Sequence, residues 1–451
     1  MARYEYKDAK SSKFWEITLD GDTYTVRFGK IGTDGTVQSK VFSDEATAQK
    51  EHDKAVKKKT KKGYVLVASA ATAPAAAAGP GADLEAAIHA APDSRQAWEV
   101  YADFLSTQGD PRGELILLHY AAQDGAGDAK AINARAKEVF DAHSDSWMGK
   151  ELAKLAAAEA EVFSLDWWCG FIIGATVGVS WDEDVADTPA QARIVMSSPA
   201  ARFIRSLSIG LDSSMEDGEA DFGKSILAVT RLGKNHSLRK LHVGNFEYPD
   251  ETEISWTSVG DVSKLYPVFP NLEDLHVTGG SIQLGTLAHA KLKKLWIETG
   301  GLPREAARSL SAAKLPELEE LDIWFGTDEY GGTSQPTDID GLLQGDRFPK
   351  LKKLALKNAE HQNAITERVV ASPLLAHVEE LDLSMGTMTE PGVAALLAAA
   401  EKLSQLTSID VSENAIQPEH CAQLSAAFGS RIDVSDQDVD DPDWIYVSVG
   451  E

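Results

Sequence analysis

Seven segments in the second half of the chain repeat one arrangement of apolar positions: apolar, two intervening residues, apolar, one intervening residue, apolar. They start at Leu238, Leu272, Leu292, Leu318, Leu351, Val378 and Leu406, and Arg205–Ile209 is a weaker first copy. The second apolar position falls at Leu241, Leu275, Leu295, Leu321, Leu354, Leu381 and Ile409, with gaps of 34, 20, 26, 33, 27 and 28 residues. Alternation with period two predicts short strands whose apolar side chains share one face. One such strand and its return segment cannot bury their own leucines, but stacked copies make a continuous core. The opposite face then carries Lys240 and His242, Asp274 and His276, Lys294 and Trp296, Glu320 and Asp322. Lys353 and Ala355, Glu380 and Asp382, and Asp410 continue it, and Trp324, two residues after Asp322, points the same way.

Upstream the periodicity changes. Residues 83–160 read as helices: Asp83 caps the first and Asp93 the second, which places Ala97, Tyr101, Phe104 and Leu105 on one face. Pro111 suits the first turn of a third, and further helices are expected near 128–143 and 147–160. Residues 68–82 are an Ala/Pro/Gly tract without a periodic apolar face and read as a linker. Before it, residues 3–7, 14–19, 23–28 and 37–42 alternate as strands, with turns at Gly21-Asp22 and Thr33-Asp34-Gly35. A helix over 44–60 follows, with Ser43 as its N-cap. The expected fold class is multidomain α+β. It comprises a small antiparallel sheet with one helix (1–67), the linker (68–82), a helical segment (83–160) and an α/β solenoid with a C-terminal cap (161–451).

Charge sharpens this division. The chain carries 44 Lys+Arg and 70 Asp+Glu, a net charge of −26, yet residues 1–67 hold 14 basic and 10 acidic residues. The remainder therefore carries 30 and 60, a net of −30. Opposite fields on one chain point to different partners for the two parts. No apolar run of about 18 residues predicts a membrane span, and no signal-type segment follows the N-terminus. Only two cysteines occur, Cys169 and Cys421, too few for a disulfide framework or a four-cysteine zinc site. A cytoplasmic chain with free thiols is the expectation. No nucleophile elbow, phosphate-cradling loop or His-Glu-x-x-His is present, so no enzyme and no cofactor is expected.

The repeat spacing lies in or near the range of leucine-rich repeats, which the second half resembles. Residues 1–67 resemble a WGR domain through Lys13-Phe14-Trp15, Arg27-Phe28-Gly29-Lys30-Ile31-Gly32-Thr33-Asp34-Gly35, Phe42, Ala48 and Lys61-Lys62-Gly63-Tyr64. The naming Trp-Gly-Arg of that family is Phe28-Gly29-Lys30 here. In DNA-binding members of the family the tryptophan packs against nucleotides at a strand end. The resemblance implies that Phe28 stacks on a sugar or base, whereas Lys30 lacks the fork of an arginine. Residues 83–118, with Pro92-Asp93, Tyr101-Ala102-Asp103-Phe104-Leu105 and Gly109-Asp110-Pro111-Arg112-Gly113-Glu114-Leu115-Ile116, resemble a bacterial repeat-companion domain. That resemblance implies architecture and no activity.

Two candidate surfaces follow. Phe28, Lys30, Lys57, Lys58, Lys59, Lys61 and Lys62 form the candidate nucleic-acid site, because clustered cations release counterions from phosphate. His276, Trp296, Asp322, Trp324 and Asp382 form the candidate protein site, because tryptophans on a solvent-facing strand surface are typical interface anchors. His242 and His276 occupy equivalent positions. A metal would need a third ligand, for which Asp274 is the neighbour, and none is expected. The expected function is a non-enzymatic adaptor that binds DNA, including its ends, through the basic module and an unidentified protein through the acidic repeats. Two alternatives stand beside it: a purely protein-binding chain that uses the first module for docking, and a component or protease substrate of a bacterial defence system.

Overall fold

The computed structural model describes every residue except 1, 8–11, 21–22, 32–35, 42–44, 70–79, 159–161, 180–184, 214–217, 440–444 and 451. Both turns expected between the first strands, the expected Ser43 cap, Phe42 and most of the linker lie outside the described residues. The chain divides into two compact units, 1–86 and 87–451.

In the first unit, β1 (Ala2–Lys7), β2 (Ser12–Asp20), β3 (Thr23–Lys30) and β4 (Thr36–Val41) precede α1 (Glu45–Thr60) and β5 (Val65–Ser69). They form an antiparallel sheet in the order β4-β3-β2-β1-β5. The fifth strand is not expected from the sequence pattern. It pairs with β1 and takes in residues 68 and 69, which composition alone assigns to the linker. Register puts Trp15 opposite both Tyr4 and Phe28. Tyr4, Trp15 and Ile17 are buried, and Val26, Phe28, Ala55, Val56 and Tyr64 pack against them. α1 therefore covers one face of the sheet through Ala55 and Val56.

The second unit contains α2 (Pro80–Ala90, whose first turns belong to the other unit), α3 (Arg95–Thr107), α4 (Arg112–Gln123), α5 (Ala129–Met148) and α6 (Lys150–Ala156). The second helix is capped by Ser94 rather than Asp93: the Ser94 hydroxyl accepts from the Ala97 amide. Asp93 instead pairs with Arg205 at 2.8 Å. Trp98, Tyr101, Phe171 and Phe203 are almost completely buried and meet in edge-on and tilted ring contacts. The Gly109–Leu115 motif has a local explanation. Arg112 is buried, bonds the Asp110 carboxylate and lies 4.7 Å from the Phe171 ring. A Cβ on Gly113 would sit 2.6 Å from the Ala102 carbonyl oxygen, so a glycine is what lets α4 approach α3.

The strands and helices that follow are β6 (Ser164–Trp168), β7 (Phe171–Val177), α7 (Thr188–Ser197), β8 (Ser206–Ile209), β9 (Ala220–Asp221), α8 (Phe222–Thr230) and β10 (Lys240–Val243). Next are β11 (Thr257–Asp261), β12 (Asp274–Thr278), β13 (Gly280–Gln283), β14 (Lys294–Glu298), α9 (Arg304–Ser311) and β15 (Glu320–Gly326). The chain closes with β16 (Lys353–Ala359), α10 (Gln362–Ala371), β17 (Glu380–Asp382), α11 (Glu390–Ala398), β18 (Ser408–Asp410), α12 (Pro418–Phe428) and β19 (Ile432–Asp433). One 11-stranded sheet runs β6-β7-β8-β10-β12-β14-β15-β16-β17-β18-β19. It is parallel from β7 onward, after an antiparallel β6–β7 hairpin. Each of the seven repeated segments supplies one of its strands.

Pairing is in register from copy to copy. Leu241, Leu275, Leu295, Leu321, Leu354, Leu381 and Ile409 align across the sheet and are all about 1% exposed or less. The return segments carry no strand signal in the sequence, yet β9, β11 and β13 form a second, three-stranded parallel sheet, and Val259 and Ile282 join the same core.

Candidate functional site

The first candidate surface sits where the helix-covered face of the small sheet meets the end of α1. Lys59 does not point into solvent with its neighbours. Its ammonium lies 5.2 Å from the Trp15 ring, 5.9 Å from Phe28 and 4.9 Å from Tyr64. Helical phase causes this: Ala55, Val56 and Lys59 share the stripe that faces the sheet. Burial lowers the Lys59 pKa, and the charges of Lys62, Lys13 and Lys58 lower it further. Lys57, Lys58, Lys61 and Lys62 are exposed, and the nearby Asp53 carboxylate is lowered chiefly by its hydrogen bonds with His52 and Gln49, with a small contribution from Lys57. Lys30, also exposed, is paired across the strands with Lys13. The structure thus gathers Phe28, Lys59 and Lys62 with Trp15, Tyr64 and Lys13. The sequence marks Trp15, Tyr64 and Lys13 only as motif residues; the signal for their role lies in strand register.

The second surface is the polar face of the large sheet. Its middle row is Ser208, His242, His276, Trp296, Asp322, Ala355, Asp382, Asp410 and Asp433, all at equivalent register. The row changes character along its length, aromatic from His242 to Trp296 and acidic from Asp322 onward except at Ala355. His242 and His276 stack with ring centroids 3.9 Å apart and planes 2° apart. Glu298, rather than Asp274, is the carboxylate beside them, 3.1 Å from His276. Asp274 lies in the flanking row between Lys240 and Lys294. Burial pushes the His242 pKa down to about 4, and His276 adds to the shift. Burial would raise Glu298, but hydrogen bonds from His276 and Thr278 together with the charges of His276 and His242 hold that carboxyl below its ordinary value. Among the described residues no His/Cys/Asp/Glu group has a metal-holding arrangement.

Trp296 and Trp324 are half-buried on this face, not open to solvent. Lys353 reaches to 5.9 Å from the Trp296 ring and Lys357 to 5.7 Å from the Trp324 ring. Between these four side chains Asp322 is only 6% exposed and Ala355 is fully buried. Burial pushes the Asp322 pKa up to about 6, with Lys357 opposing. Asp382 lies 3.5 Å from the Lys357 ammonium, and its Oδ1 accepts from the backbone and hydroxyl of Ser384. Asp410 repeats the same bonds with Ser412. Sequence reasoning does not single out Trp256, which ends a short helical turn before β11 and is 60% exposed. Periodicity gives no signal for a residue outside the repeated strands.

Comparison with known proteins agrees with the geometry of the first unit. Residues 1–71 match the WGR domain family, and this segment is a WGR domain. Two proteins of Escherichia coli strain K12 are similar over a stretch of that length. Protein YfeS is 45% identical over 62 residues and protein YehF 43% identical over 65, each 14% of this chain. These stretches are 25% and 24% of those proteins, so the chain spans about a quarter of the curated relatives it matches. A crystal structure of a Bacteroides fragilis protein is similar over 100% of this chain and 99% of its own, with 23% identity and a TM-score of 0.56. At that identity the likeness is one of fold. The whole is a mixed α/β protein with a WGR domain at its N-terminus and a large mixed sheet after it. Among the described residues no helix is long and apolar enough to cross a membrane.

Proposed function

We propose that this chain is a non-enzymatic adaptor. Its WGR domain engages nucleic acid at the edge formed by Phe28, Lys30, Lys58, Lys59, Lys61 and Lys62. Its second unit, a leucine-rich repeat solenoid, holds a basic protein partner on the polar face. One observation carries the nucleic-acid reading: Lys57, Lys58, Lys61 and Lys62 stand exposed together at and just past the end of α1, around Lys59, whose pKa burial lowers and the charges of Lys62, Lys13 and Lys58 lower further. Converging ammonium groups repel one another, and a phosphate backbone relieves that repulsion with release of counterions. The −30 balance outside residues 1–67 supports a basic protein, rather than nucleic acid, as the partner of the repeats.

The test is binding of the full chain to duplex, nicked and single-stranded DNA over a salt series. The expected affinity falls with salt by a slope of about 0.9 per duplex phosphate contacted, and Lys58→Glu, Lys61→Glu and Lys62→Glu together abolish it. Salt-insensitive or absent binding overturns this half of the proposal. One observation favours a second reading, in which the domain docks onto protein alone: Lys59 already covers the faces of Trp15 and Phe28. Nucleotide stacking on Phe28 requires Lys59 to move.

A further inference from the structure

We propose that the row Asp322–Ala355–Asp382 is a binding site for an arginine side chain of the protein partner, held in the free chain by its own Lys353 and Lys357. The inference rests on the reading of the polar face as a protein-binding surface.

The three residues occupy one register on adjacent strands. Parallel strands lie about 4.8 Å apart, so the two carboxylate-bearing positions are separated by about two such spacings, with a methyl group between them. Ala355 is the smallest residue of the middle row, and it creates the only break in the row of aspartates from Asp322 to Asp433. Lys353 and Lys357 flank Ala355 on its own strand. Their amines rest on Trp296 and Trp324 and pair with Glu320 at 3.4 Å and with Asp382 at 3.5 Å. The chain therefore already places cations over both indoles.

Those cations leave the site incompletely satisfied. Asp322 is 6% exposed and its Oδ1 has no hydrogen-bond partner. A buried acceptor without a donor is unfavourable. An ammonium is a compact point charge, whereas a guanidinium is planar, offers a fork of donors and stacks on aromatic faces. An arginine entering over Ala355 can serve Asp322 and Asp382 together while its plane lies against an indole. Lysine cannot do both.

The experiment titrates the full chain with three Gly/Ser peptides of identical spacing that carry arginine, lysine or citrulline. The arginine peptide is expected to bind about tenfold or more tightly than the lysine peptide, with no binding of the citrulline peptide. Asp322→Asn should remove the preference, and Ala355→Leu should do the same by placing bulk between the two carboxylate positions. Lys357→Ala should tighten arginine binding, because the resident cation is gone; a purely structural lysine would give weaker or unchanged binding. Melting curves of each variant show whether the fold is kept, and the lysine variant keeps the test open if Ala355→Leu does not fold. Equal affinity for arginine and lysine peptides overturns the arginine site and leaves the acidic-face reading standing. No binding of either peptide overturns both, and weaker or unchanged binding by Lys357→Ala overturns the assignment of the resident lysines.

Discussion

The Asn358 side chain exchanges two hydrogen bonds with the backbone of Val449, 91 residues further on: its amide donates to the Val449 carbonyl and its carbonyl accepts from the Val449 amide. Asn358 is fully buried and Val449 nearly so, and Asn358 has φ +53°, a conformation asparagine tolerates better than most residues. The C-terminal segment is thereby tied to the end of β16. Asn358→Ala is expected to cost about 2–3 kcal/mol, because it strands two backbone groups in the interior. Chemical denaturation checks this; an unchanged midpoint would show that the tail contributes nothing to the stability of the sheet.

Trp98 holds the helices to the first strands. Its ring meets Tyr101, Trp168, Phe171 and Phe203, and its indole N–H donates to the Pro92 carbonyl. Trp98→Ala should destabilise the second unit by about 3–5 kcal/mol. The loss should appear as a shift of one transition shared by the helices and the large sheet. Separate melting of a helical fraction, at a temperature the substitution does not move, would show that the two parts fold independently.

Two groups on the polar face titrate in opposite senses. Asp322 has a folded pKa of about 6 against an ordinary 3.8, so the folded state holds an extra proton between those values. Its contribution to stability is present at low pH and is lost as pH rises through 6. His242, lowered to about 4 from 6.5, contributes stability above 6.5 that is lost as pH falls towards 4. Asp322→Asn removes the first dependence and keeps the second. The variant should gain stability relative to the parent between pH 4 and 7, read as a widening difference in Tm. Parallel curves would show that the carboxylate is not perturbed.

The repeated strands are legible in the sequence because leucine positions with period two leave one outcome for the backbone, and the rows at Leu241 and His242 follow from that alternation alone. The lid over Asp322 does not. It depends on how far Lys353 and Lys357 reach across neighbouring strands, and an alternating sequence gives direction without reach. Lys59 is hidden for a related reason: within the run Lys57–Lys62 all the lysines look alike, and only the phase of α1 against Trp15 and Tyr64 separates one from the rest. Strand β5 escapes the pattern because Val65, Leu66 and Val67 form a short apolar run against a low-complexity tract. Glu298 is passed over in favour of Asp274 because proximity in sequence is a poor guide on a parallel sheet.

Affinity purification of the full chain from its own cells, with and without nuclease, tests the two-surface account most directly. Nucleic acid should be recovered with the parent chain and lost from the variant with Lys58→Glu, Lys61→Glu and Lys62→Glu, which should keep its protein partner. A variant with Asp382→Lys and Asp410→Lys should behave the other way, losing the protein and keeping the nucleic acid, and nuclease should leave the parent's protein partner bound. Loss of every partner on nuclease treatment, or the same losses from both variants, would contradict an adaptor with two separate binding surfaces.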